Sequence, residues 1–186
     1  MRWDANPEAA WKLWRVTRDN LFANHPQTPL DKGAWARNVG LSYFGYDSTF
    51  RFEVTLEALP RREAFIGLTG PGGALPIAQF AMTRGLERRL GQELTLYWIE
   101  GYGGGVFLPF LDATSGDTTF GGGRYLLDSI KGADLGHTKG GALILDFNFA
   151  YNPSCSYSER WACPLAPQEN RLSAAVTAGE RLGQLG

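Results

Sequence analysis

Phe50, Phe52, Val54, Leu56 and Ala58 alternate with Arg51, Glu53, Thr55 and Glu57. A period of two puts every apolar side chain on one face of an extended strand, a pattern that no helix can present on one side. The chain must therefore build a sheet with at least one buried face. Downstream, Pro60-Arg61-Arg62 reads as a turn, residues 63–69 as a second strand, 70–73 (GPGG) as the next turn and 75–83 as a strand pairing back. Residues 93–100, ELTLYWIE, turn apolar on both alternating faces, which suits an inner strand covered on two sides. Gly101 to Gly105 reads as a hairpin into a strand at 106–110, and residues 112–117 turn the chain again. The most hydrophobic strand is 142–147, and Leu172, Ala174, Val176 and Ala178 alternate as a closing strand. Residues 86–90 fit a helical turn or a loop.

About eight short strands without helical crossovers predict a mainly β fold, an antiparallel sandwich or partly closed barrel. One amphipathic helix precedes it, over residues 6–22. Asn6 is its N-cap, Pro7 its first helical residue and Glu8 an acid in its first turn, while Pro26 ends it by restricting His25. Ala10, Leu13, Trp14, Thr17 and Leu21 form the expected inward stripe, with Lys12, Arg15 and Asp19 outward. Residues 27–40 are expected to connect helix and sheet, with a short turn around Trp35. With 186 residues and no linker-like stretch, the organisation predicted is one domain over 1–186, the helix docked on a β-rich body at 43–180.

Net charge is −1, and the cations are scattered apart from the pairs Arg61-Arg62 and Arg88-Arg89, so no footprint for nucleic acid exists. No window approaches a membrane span and no signal-peptide run opens the chain, which points to a cytoplasmic protein without membrane partners. In that compartment Cys155 and Cys163 are expected as packed thiols before a disulfide. Their spacing is not that of a zinc knuckle, so no metal and no cofactor is expected. Neither His25 nor His137 stands near them in sequence to activate a nucleophile.

The specific motifs are L-x-Y-F at Leu41, R-F at Arg51, FLPFLDATSG from Phe107, TF with GRYL from Thr119 to Leu126, and DFNFAYNPSCSY from Asp146. W-x-C-P-L at Trp161 and ENRL at Glu169 complete the set. Together they resemble domain-of-unknown-function family 1684, a family of uncharacterised bacterial and archaeal proteins, from about Leu41 onward. Ser154 and Ala166 stand where that family usually has a second proline. Both are loop positions, and the resemblance implies no activity.

Function must be argued from the residues. Asp146 closes an apolar run, so its carboxylate is expected to be partly buried and to need a cation, with Arg124 the natural bidentate partner. That pair is read either as a core tie or as a site in which Asp146 acts as general base and Arg124 clamps an anion. Gly121 to Gly123 could offer backbone N–H groups to an anion, or simply form a tight turn. The leading expectation is a domain binding a small polar or anionic ligand. Arg124 would contact charge, Asn148, Asn152 and Asn170 would orient the ligand, and Tyr151, Tyr157 and Trp161 would wall it, with Tyr125 a further ligand-binding candidate. The alternatives are a hydrolase with Asp146 or Asp112 as general base, and a structural or protein-interaction module. Oligomeric state is left open.

Overall fold

The computed structural model describes residues 6–30, 40–68, 73–100, 104–128 and 134–183. Helix α1 (Pro7–Asn24) starts as its sequence dictates: the Asn6 side chain accepts from Ala9 N at 3.0 Å, and His25 leaves the helix extended. The strands are β1 (Arg51–Gly67), β2 (Ala74–Arg84), β3 (Thr95–Ile99), β4 (Gly105–Phe110), β5 (Arg124–Asp128) and β6 (Leu143–Asp146). A single helical turn, α2 (Glu87–Leu90), lies between β2 and β3. The expected turn around Trp35, most of the GPGG turn and the start of the Gly101 hairpin lie outside the described residues.

All neighbouring strands pair antiparallel, in the order β5-β4-β3-β2-β1-β6. Beyond β6 the chain comes round to the opposite edge, where Tyr125 and Tyr151 exchange two backbone hydrogen bonds of 3.0 Å. The sheet is therefore barrel-like and nearly closed. Of the two architectures expected, the partly closed barrel is the one formed.

Two expected elements differ. Pro60-Arg61-Arg62 is no turn: the register slips between Ala58 and Arg62, and β1 runs on through the bulge. Proline is tolerated there because β1 pairs with β6 only over Arg51 to Val54, so the outer edge at Pro60 demands no ladder hydrogen bond. The closing strand is also absent, although its alternation is real: Leu172, Val176 and Ala178 are buried. Its carbonyls at Val176, Ala178 and Glu180 accept from the guanidinium of Arg124 instead of from a neighbouring strand.

Side-chain alternation sorts the core into two layers, one on each face of the sheet. Leu96, Leu108 and Leu145 join Leu86, Leu90, Phe110, Phe147 and Val176 on one face. Tyr97, Phe107 and Ile144 join Trp11, Trp14, Phe149 and Tyr151 on the other, beneath α1. The inward stripe of α1 is Ala10, Trp11, Trp14, Arg18 and Phe22, rotated from the expected one. Leu13 and Leu21 are about half exposed, at 43 and 54 %. Larger rings decide the rotation: Trp14 packs on Tyr43, Phe149 and Tyr151, and the Trp11 indole N–H donates to the Asn148 carbonyl at 2.8 Å. Each buried ring removes about 150–250 Å² from water, more than a leucine at the same place would.

Candidate functional site

The residues singled out from the sequence divide into three groups. The first surrounds Asp146. Its carboxylate accepts from the backbone N–H and the side-chain amide of Asn148 at 3.0 and 2.8 Å, and Arg51 stands 3.5 Å away. The expected partner Arg124 is elsewhere. Arg51 faces Asp146 because the two are register partners across β1 and β6. Burial raises the Asp146 carboxyl, with Asn148 and then Arg51 opposing. Tyr46 beside it is pushed up to about 12, by burial first and by the Asp146 charge second. Asn148 is fully used, since its amide also bridges the N–H and C=O of Asp47 at 2.9 and 2.8 Å. Asn170 does the same for Thr95, at 2.8 and 2.9 Å, and donates a further bond to Pro109 at 2.8 Å. An amide presents one donor and one acceptor side by side, as a strand does, so each asparagine replaces a missing stretch of ladder.

The second group is Arg124 with Asp112, an ion pair of 2.8 Å with no exposed side-chain surface on either partner. Both terminal nitrogens of Arg124 are engaged, by Asp112 and by the three carbonyls of the C-terminal segment. Burial lowers the guanidinium's pKa, and Asp112 pulls the other way. The other Asp112 oxygen accepts from Thr114 and from Val176 N. The preceding glycines form a tight turn instead of an anion nest. Gly123 has φ +91°, its N–H is bonded to the Phe120 carbonyl, and a Cβ there would stand 2.6 Å from the Phe110 carbonyl oxygen. Tyr125 donates its hydroxyl to the Pro164 carbonyl at 2.5 Å.

The third group opens on a cleft. Between the C-terminal half of α1, the turn at 25–29 and the loop carrying Ser154 and Trp161 lies a hollow of about 620 Å³. Its walls are Trp14, Leu21, Phe22 and Trp161, its rim Thr17, His25 and Ser154, and Arg18 lies in it. Of the residues selected by sequence, Trp161 alone lines this cleft. Asp146, Asp112 and Arg124 line none of it. Asn152, Tyr151 and Tyr157 meet it through Arg18, which is only 7 % exposed. The Arg18 guanidinium stacks 4.7 Å from the rings of Phe22 and Tyr151. Its Nε and Nη2 donate to Glu180 at 3.3 and 2.9 Å, and Nη2 also to the Asn152 carbonyl at 3.3 Å. Nη1 has no protein partner among the described residues.

Glu180 is wholly buried and accepts in addition from Asn152 N at 2.8 Å and from the Tyr157 hydroxyl. Burial alone would lower the Arg18 guanidinium; Glu180, and then the phenols of Tyr157, Tyr43 and Tyr151, more than reverse this, so the net shift is upward. Burial, then Glu180, raises the Tyr157 hydroxyl far above its ordinary value. Gly179 makes the arrangement reachable. At φ +78° it lets the chain pass so close to the 147–150 turn that a Cβ would lie 2.6 Å from the Ala150 carbonyl oxygen. The Asn152 side-chain oxygen is buried without a partner among the described residues.

Sequence reasoning missed Arg18 and Glu180, and both carried a signal. Arg18 sits at helical spacing among Trp11, Trp14 and Phe22, and Glu180 continues the inward alternation of Leu172, Val176 and Ala178. Cys155 and Cys163 are thiols, with the Cys155 N–H directed at the Cys163 sulfur at 3.2 Å. Among the described residues no cluster of histidine, cysteine and acids could hold a metal, and no helix is long and apolar enough to cross a membrane.

A nearly closed antiparallel β-barrel-like sheet, covered by an N-terminal helix that is pinned through a buried arginine, defines the class of protein. The chain belongs to the family described as Protein of unknown function (DUF1684), which matches residues 37–181. It is similar to an uncharacterized protein of Haloarcula marismortui solved by solution NMR, with 30 % identity, a TM-score of 0.66 and 100 % of each chain covered. No curated protein matches its sequence.

Proposed function

We propose that the protein binds a small molecule in the cleft between α1 and the 154–161 loop. One observation carries this reading: a nearly buried arginine, held in place by Glu180 and three aromatic rings, has one nitrogen without a partner among the described residues and lies in a hollow walled largely by apolar side chains. About 620 Å³ is within the range of small-ligand sites, and apolar walls with few fixed polar groups are their usual make-up. The polar contact moves from Arg124 to Arg18, and Trp161 keeps the wall role expected of it. A cytoplasmic setting belongs to the same reading.

A thermal-shift screen of metabolites tests it, run in parallel on Leu21→Trp. Leu21 is half exposed and lines the cleft, so a larger ring there fills the hollow without disturbing the core. Compounds that raise the melting temperature of the native chain and not of Leu21→Trp support binding in the cleft. Hits that stabilise both equally place the site elsewhere.

A further inference from the structure

Among the described residues Arg18 is the one Lys, Arg, Asp or Glu side chain lining the cleft; outside the lining, Arg160 donates to the Thr28 carbonyl from an exposed position where water screens its charge. Glu180 takes two hydrogen bonds from the same guanidinium, so the pair is neutral as a unit. At the rim, the Nδ1 of His25 accepts the backbone N–H of Gln27 at 3.1 Å. The Thr28 hydroxyl is committed to the Phe22 carbonyl at 2.6 Å. The described lining therefore offers a ligand one charged donor, Nη1, already balanced by Glu180, beside neutral polar groups such as those of Gln27 and Ser154.

That distinction selects the ligand's charge. A carboxylate placed on Nη1 would bring a second negative charge beside Glu180 and would shed its water against Trp14, Leu21, Phe22 and Trp161. Removing a charge from water without a balancing partner is far more costly than removing a carbonyl. A carbonyl oxygen still receives a hydrogen bond from a charged donor, the stronger kind. We infer that the cleft's ligand is an uncharged molecule with an apolar body and a carbonyl-type acceptor, bound through Nη1 of Arg18, and that anions of the same shape are discriminated against. This rests on the cleft being a ligand site.

Three compounds sharing one skeleton test it by calorimetric titration into the full chain: cinnamamide, cinnamate and the hydrocarbon β-methylstyrene. The expected order is amide first, tighter than either of the others by about tenfold. Cinnamate binding as tightly as cinnamamide overturns the inference and leaves the binding reading standing. An amide no tighter than the hydrocarbon removes the role of Nη1. If none of the three binds, inference and binding reading fall together. Leu21→Trp is expected to weaken cinnamamide by about tenfold or more, and unchanged affinity in that variant contradicts the location.

Discussion

Arg124 and Arg18 both fix the C-terminal segment, Arg124 through the carbonyls of Val176, Ala178 and Glu180 and Arg18 through the Glu180 carboxylate. Each is paired with a buried acid. Arg124 is enclosed on every side, at 0 % exposure, and both its terminal nitrogens are bonded. Arg18 retains a sliver of surface, borders a cleft and has one nitrogen without a partner among the described residues. The same chemistry in a different enclosure gives a closed tie at Arg124 and, in the reading proposed above, a site at Arg18. Arg124 Nε is also without a partner among the described residues, but it is buried in the core, so what separates the two is enclosure: only Arg18 lines a cleft.

The comparison breaks first at Arg124. Replacing it by Met strands the Asp112 carboxylate and three carbonyls in the core, and about 4 kcal/mol or more of stability should be lost in urea unfolding. Arg18→Met strands Glu180 beside a cleft that water can enter, so the expected loss is smaller, about 3 kcal/mol. If Arg18→Met costs more than Arg124→Met, the enclosure argument fails. Asn170→Ala removes an amide that bridges Thr95 and Pro109, and should cost about 2 kcal/mol.

Asp146 sharpens the contrast through pH. Its folded carboxyl is raised by burial, so the folded state binds the proton more tightly than the unfolded one. The contribution is full below the unfolded value of about 3.9 and is lost as pH rises through the folded value. Asp146→Asn should change stability by about 1 kcal/mol or less, and its stability relative to the native chain should rise with pH across that window. A relative stability that falls with pH would show the Asn148 hydrogen bonds and the Arg51 contact outweighing burial. Leu21→Trp has the smallest expected effect, within about 0.5 kcal/mol, because it alters only half-exposed surface.

Much of the fold was legible because it is written in local periods. The alternation at Phe50 to Ala58 marks β1, and Asn6-Pro7 and Pro26 bracket α1. The face of α1 was not, because Leu13 and Leu21 compete with Trp11, Trp14 and Phe22 at similar spacings and an arginine interrupts the aromatic stripe. The rings settle the competition through partners far away in sequence, and Glu180, 162 positions away, holds the arginine that turns inward with them. Pairing of acids and arginines was misassigned for a related reason. Arg124 can reach Asp112 or Asp146 in principle, and only strand order shows that Arg51 is the neighbour of Asp146. Of the three rings, Tyr151 lies against the Arg18 guanidinium, Tyr157 bonds Glu180 through its hydroxyl, and Trp161 alone lines the cleft.

The central claim is that Arg18, and not Arg124, is the arginine open to a ligand. Guanidinium Nε–H resonances of the 15N-labelled full chain, followed during titration with cinnamamide, test it most directly. The account predicts that the Arg18 signal shifts with added compound and the Arg124 signal stays in place. A shift at Arg124 with Arg18 unmoved would contradict it.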